Sequence, residues 1–163
     1  MTLRADAQRN LDRLLDRAAE CFAEQGLDVS IDEIARRAGV GHGTVFRRFP
    51  TKDALVAAVL NQRVRELTER VQASLEEPDA GEAFARFFRH IAAAYADNLS
   101  LVEGFERCVG TPEKEELLAS VHQLVERAQK AGALRRDVTA KDVLNLVPTA
   151  ARYPEIVLDG LRA

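Results

Sequence analysis

The stretch from Ile31 to Phe49, IDEIARRAGVGHGTVFRRF, decides how the rest of the chain is read. Ser30 and Glu33 stand at capping-box spacing, which predicts a helix from Ile31. Gly39 interrupts it, at a turn where a left-handed backbone is cheap only for glycine. A further helix is predicted from His42 to Phe49, and Pro50 ends it. Ala35 is small where two helices approach closely. Ile34, Val40 and Val45 are apolar where such a pair must pack. These are the requirements of a helix-turn-helix, although an ordinary helical hairpin with a glycine turn meets them too.

Outward from this core the chain reads as helix throughout. Leu11, Leu14, Leu15, Ala18 and Phe22 recur at three- and four-residue steps, giving a first helix stopped at Gly26. Thr51 can cap a long fourth helix carrying Leu60, Val64, Leu67, Val71 and Leu75 on one stripe. A fifth runs from about Gly81 to Asp97. A short sixth is predicted over 99–109. Thr111 caps a seventh to about Ala131, and Thr139 caps an eighth. Pro148 and Pro154 are expected to disturb the chain before a last apolar stretch, Ile156 to Leu161. The expected fold class is all-α: a three-helix reading head (1–51) followed by a helical domain (52–163).

The composition fits that reading. The 163 residues are 47% hydrophobic and 30% charged, with no low-complexity tract. Cys21 and Cys108 supply neither a disulfide framework nor metal-ligand spacing, which suits a reducing compartment. No apolar run approaches the ~20 residues that span a bilayer. A soluble, cytoplasmic protein with no membrane partner is expected. The net charge of −3 argues against a nucleic-acid partner only when averaged. From Ile34 to Lys52 there are five basic residues (Arg36, Arg37, Arg47, Arg48, Lys52) and no acidic one. At physiological salt, screening confines repulsion from distant acids to about 8–10 Å.

Around the helix pair, the run from Phe22 to Leu55, FAEQGLDVSIDEIARRAGVGHGTVFRRFPTKDAL, closely resembles the N-terminal domain of TetR-type repressors. The resemblance rests on a first-helix Phe followed by a glycine and on a capped second helix with Ile-Ala. Ala-Gly-Val, Gly-Thr-Val-Phe-Arg-Arg-Phe-Pro and a lysine complete it. It implies that the third helix enters the DNA major groove. The fourth would then link the reading head to a variable helical domain holding a ligand pocket and a dimer interface. Further along, TPEKEELLASV, AGALRRDVTAKDVL and VLDGLRA are similar to one subgroup of the family, with a short C-terminal helical domain.

By the same resemblance Ser30 contacts phosphate, unless its hydroxyl only caps the helix. Thr44 meets phosphate or a thymine methyl, and Arg47 phosphate or a guanine edge. Lys52 reaches phosphate from the start of the fourth helix. His42 and Gly43 occupy the front of the reading helix, at positions that face bases in many relatives. Arg4, just before the first helix, is a candidate short arm to the minor groove or phosphate. Arg36 and Arg37 are expected on a solvated face. Three positions depart from the family pattern. Gly41 replaces a capping serine, although glycine is a tolerable N-cap. Phe46 replaces a tyrosine and, without a hydroxyl, is expected mainly to pack. Arg48 replaces a histidine and adds a charge.

For the helical domain, Phe84, Phe87, Phe88, Tyr95 and Phe105 are the large side chains available to line a pocket, or else are plain core. His90 and His122 are polar candidates. The eighth helix and Ile156 to Leu161 are the expected dimer surface, since two-fold dimers read palindromes. The stretch from Leu146 to Glu155 is shorter than is usual in the subgroup, which implies truncated last helices or a missing loop. An enzyme is not expected. His42, His90 and His122 are isolated, and no phosphate loop, nucleophile elbow or H-x-x-x-H pair occurs, so catalytic residues, metal and cofactor are all read as none. A helical interaction protein without DNA binding is the other rival. The reading that results is a ligand-responsive repressor, binding a palindromic operator as a homodimer.

Overall fold

The computed structural model describes residues 3–97 and 112–163, with side chains from residue 7 onward. The helix expected over 99–109, with Phe105 and Cys108, lies outside the described residues. Those described form eight helices and no strand, apart from one isolated antiparallel bridge between Leu134 and Arg162. The helices are α1 (Leu3–Gln25), α2 (Ile31–Ala38), α3 (His42–Arg48), α4 (Lys52–Leu75), α5 (Ala80–Asp97), α6 (Pro112–Lys130), α7 (Ala140–Ala150) and α8 (Pro154–Leu161).

The chain forms two compact units. One runs to Arg63; the other takes Val64 to Asp97 and the described residues from 112 onward. The division therefore falls inside α4, whose 24 residues extend about 36 Å.

In the first unit α1 contributes Leu14, Leu15, Ala18, Cys21 and Phe22 to a core shared with Ile34 and Ala35 of α2. Val45 of α3, Phe49, and Leu55, Val56, Val59 and Leu60 of α4 close it. Burying each large apolar side chain of this set contributes about 1.5–3 kcal/mol. The turn between α2 and α3 depends on Gly39, which has φ 66° and ψ 28°. Its N–H donates to the Arg36 carbonyl at 3.2 Å, and that of Val40 to the Ala35 carbonyl at 3.0 Å. This pair of bonds is a Schellman motif, and it satisfies two carbonyls left over at the end of α2.

In the second unit α5 packs against α6, α7 and α8. Its buried face carries Phe84, Phe87, Phe88 and Ile91. Leu117, Val121, Leu124 and Val125 of α6, Val143 and Val147 of α7, and Leu158 and Leu161 of α8 fill the same unit. Thr139 makes a full capping box with Asp142 at the start of α7. The two prolines behave differently from the expectation of a disturbed chain. Pro148 lies inside α7, exposed and in its last turn, where only the Leu144 carbonyl forfeits a helical donor. Pro154 opens α8 at its first turn, where a missing N–H costs nothing.

Candidate nucleic-acid interface

α3 buries a single residue, Val45. His42, Gly43, Thr44, Phe46, Arg47 and Arg48 are all exposed. A seven-residue helix that packs on so narrow a stripe presents the rest of its surface to solvent. It begins at Gly41, which makes no side-chain cap; the backbone does the work, with Thr44 N–H donating to the Gly41 carbonyl at 2.9 Å.

Ser30 is the N-cap of α2, its Oγ accepting from Glu33 N–H at 3.2 Å. The reciprocal half of the expected capping box is absent because the Glu33 carboxylate is engaged elsewhere. It accepts from Arg36 at 2.9 and 2.6 Å and from Arg37 at 3.0 Å. These hydrogen bonds hold the Glu33 carboxyl down at about 2, below the ordinary carboxylate range. Arg37 also pairs with Glu24 on α1, within 2.5 Å, and so ties α2 to α1. Of the five basic residues counted in the sequence, two are therefore neutralised by local acids. Arg47, Arg48 and Lys52 have no acidic partner among the described residues. Arg47 Nε donates to the Gly43 carbonyl at 3.0 Å, back along its own helix. Lys52 is the first residue of α4, next to Thr51, whose Oγ1 accepts from Ala54 N–H at 3.1 Å.

Two expectations are corrected. Phe46 does not serve mainly for packing: it is 51% exposed, because Val45 and Phe49 take the inward positions of that turn. Its ring instead stacks on His42, with centroids 5.9 Å apart and planes 14° from parallel. Arg4 does not precede the first helix but falls within the first turn of α1; its side chain lies outside the described residues. A residue that sequence reasoning passed over is Asp32. Its Oδ1 lies at hydrogen-bonding distance from His42 Nδ1, joining the first turn of α2 to the first residue of α3. Only the acidic character of that first turn hinted at it.

In the second unit the ligand candidates separate. Phe84, Phe87 and Phe88 lie together in the core, the first and last with ring centroids 6.0 Å apart. His90 and Tyr95 are half-buried on the same helix. Burial, with Arg70 as a second cause, pushes His90 below its ordinary value. His122 is exposed on α6, its Nε2 3.4 Å from Glu126. Phe105 lies outside the described residues. A depression of about 430 Å³ lined by Arg135, Asp137, Asp142, Leu146 and Val157, among others, includes none of the candidates. Arg127 was not anticipated: it donates to the Ser74 carbonyl at 3.1 Å and to that of Glu77, holding the C-terminal end of α4. Among the described residues no cluster of His, Cys, Asp and Glu could hold a metal ion, and no helix is long and apolar enough to cross a membrane.

A glycine-turned helix pair with an exposed second helix, in a chain that also forms a separate helical unit, is the arrangement of the helix-turn-helix class. Comparison with known proteins narrows it. Residues 14–59 match the family described as bacterial regulatory proteins, tetR family, and residues 79–163 match the SbtR-like transcriptional regulator C-terminal domain. The chain belongs to the TetR family, whose members are transcription regulators and not enzymes.

Among solved structures, a TetR transcription regulatory protein from Mycobacterium vanbaalenii is 40% identical with a TM-score of 0.80, the match covering 99% of each chain. The TetR transcriptional regulator SCO0520 from Streptomyces coelicolor is 29% identical with a TM-score of 0.70, over 93% of this chain and 97% of that one. The HTH-type transcriptional repressor Rv3405c from Mycobacterium tuberculosis is 37% identical over 109 residues, 66% of this chain and 56% of the relative. The match thus spans little more than half the length of that curated relative.

Proposed function

We propose that this protein binds double-stranded DNA as a homodimer and represses transcription from a palindromic operator. The observation that carries the reading is α3 itself: it buries only Val45 and offers Thr44, Arg47 and Arg48 outward without acidic partners among the described residues. Arg47 and His42 are the base readers. Ser30, Thr44, Arg48 and Lys52 are the phosphate contacts, Gly43 lets the backbone approach closely, and Phe46 supports the reading surface. Arg4 contributes from the start of α1. The functional division is a reading head over 1–51 and a ligand-binding and dimerising domain over 52–163.

Repression is supported by the name of the M. tuberculosis relative. A small-molecule effector in the helical domain, near Phe84, Phe87, Phe88, His90, Tyr95, Phe105 and His122, is expected to release the operator. It would do so by shifting α4 so that the two heads no longer match successive major grooves, about 34–36 Å apart. The protein works in the cytoplasm and needs no cofactor. The test is fluorescence anisotropy on DNA from upstream of its own gene, at two salt concentrations. Tight, salt-dependent binding, competed by that DNA and not by random DNA, is the expected result. If neither that DNA nor any duplex selected from a random library binds, the reading fails.

A further inference from the structure

We propose that Asp32 is a positioning residue for base reading: it fixes the imidazole of His42 so that Nε2 points outward as a hydrogen-bond acceptor for a base edge. The inference rests on the DNA-binding reading above and adds to it a residue and a chemistry.

An exposed histidine on a helix ordinarily moves among rotamers and loses that freedom when it binds. His42 is held twice. Asp32 takes Nδ1, and the Phe46 ring one turn along α3 stacks on the imidazole at 5.9 Å and 14°. The stack sets the plane of the ring, and the carboxylate sets its direction within that plane. Burial does not force the arrangement, since the side chains of His42 and Asp32 are 58% and 75% exposed.

Asp32 by itself suits the first turn of α2, where a carboxylate meets the positive end of the helix dipole. That alone does not explain why it faces His42, ten residues later. A carboxylate beside the reading helix also repels phosphate, so its place there calls for a local role. The contact requires a hydrogen on Nδ1, because a carboxylate only accepts. In the neutral ring Nε2 is then the acceptor. In the major groove the complementary donors are the exocyclic amino groups of adenine and cytosine. Gly43, following His42, adds no side chain in front of that edge.

The experiment uses the full chain and four forms: wild type, Asp32→Ala, Asp32→Asn and His42→Ala. Each selects duplexes from a randomised library, and circular dichroism checks that each is folded. In the wild type, positions facing His42 should show a base preference. Asp32→Ala and His42→Ala should both lose it at the same positions and keep the rest of the motif, with affinity for the selected site falling about tenfold. Asp32→Asn, whose Oδ1 still accepts from Nδ1, should keep it. In long-range proton–nitrogen NMR spectra of the free protein above neutral pH, the ring should change from the Nδ1–H to the Nε2–H form in Asp32→Ala.

A merely structural role for Asp32 would lower affinity evenly across sequences and leave the motif unchanged; that result overturns the proposal. So does an Nε2–H ring in the wild type. Failure of the wild type to select any motif instead takes down the DNA-binding reading, and this one with it. His42→Ala leaves α2 untouched, so the comparison survives even if Asp32→Ala misfolds: an unchanged motif in His42→Ala also overturns the proposal.

Discussion

Glu33 shows how a single carboxylate edits the charge that a sequence advertises. It accepts from both Arg36 and Arg37, and Arg37 continues to Glu24. A count of lysines and arginines cannot see this, because the partners lie within the helix at three and four residues' distance and across to α1. The same carboxyl gives a pH prediction. Its value falls from an ordinary 4.5 to about 2 on folding, so the native state holds its proton less tightly than the unfolded chain does. The stabilisation is present above about 4.5 and is lost as pH falls towards 2. Glu33→Gln should therefore flatten the acid limb of stability in denaturant titrations between those limits, with the contribution kept small by solvent. An acid limb identical to wild type would show that the arginine fork is not maintained in solution. Arg47 and Lys52, without acidic partners among the described residues, make the complementary prediction. Arg47→Ala should weaken operator binding by about 1–3 kcal/mol and relax preference at one position, whereas Lys52→Ala should weaken binding to all sequences and reduce the salt slope by about one. Competition titrations over a salt series distinguish the two patterns.

At the scale of elements, the parts read correctly from sequence are those with local causes. Ser30, Thr51 and Thr139 each cap the helix expected of them, because a hydroxyl accepting from an N–H three residues on is a neighbour effect. Gly39 turns the chain as its position required. What the sequence could not convey is decided at a distance. The Asp32–His42 contact, the grip of Arg127 on the end of α4 and the Arg89–Glu155 pair at 2.7 Å between α5 and α8 join residues with no fixed spacing. Phe46 differs from its expectation for a related reason: Val45 takes the packed position expected of it, and whether the neighbouring ring packs too depends on His42, one turn back. The local causes carry magnitudes. At Gly39 a Cβ would meet no atom within 4 Å, so Gly39→Ala tests the backbone alone. Its left-handed φ should cost about 1–2 kcal/mol. Thr139→Ala removes one half of the α7 capping box and should cost about 1 kcal/mol. Thermal unfolding followed by circular dichroism measures both, and a neutral Gly39→Ala would mean that the turn tolerates another conformation.

For the whole molecule, the salt dependence of binding and the oligomeric state are one question. At the end of α3 and the start of α4 stand three cations without acidic partners among the described residues: Arg47, Arg48 and Lys52. If each releases one counterion, a single head gives a log–log salt slope of about −3 and a two-fold dimer about −5. For the homodimer proposed above, α8 and the residue before it offer a candidate joining surface. Ile156 is 71% exposed and Tyr153, three residues earlier, is 55% exposed, and Val157 is half-buried. A single exposed apolar side chain is unremarkable, but two within four residues make this end of the chain the place to test. Ile156→Asp places a charge on that surface while leaving the core residues Leu158 and Leu161 in place. It should convert the protein to a monomer by light scattering at micromolar concentration and bring the salt slope down to the single-head value, with the fold intact by circular dichroism. A variant that stays dimeric would move the interface away from α8. A wild-type slope already near −3 would mean that only one head engages DNA at a time, and the palindromic operator would have to be given up.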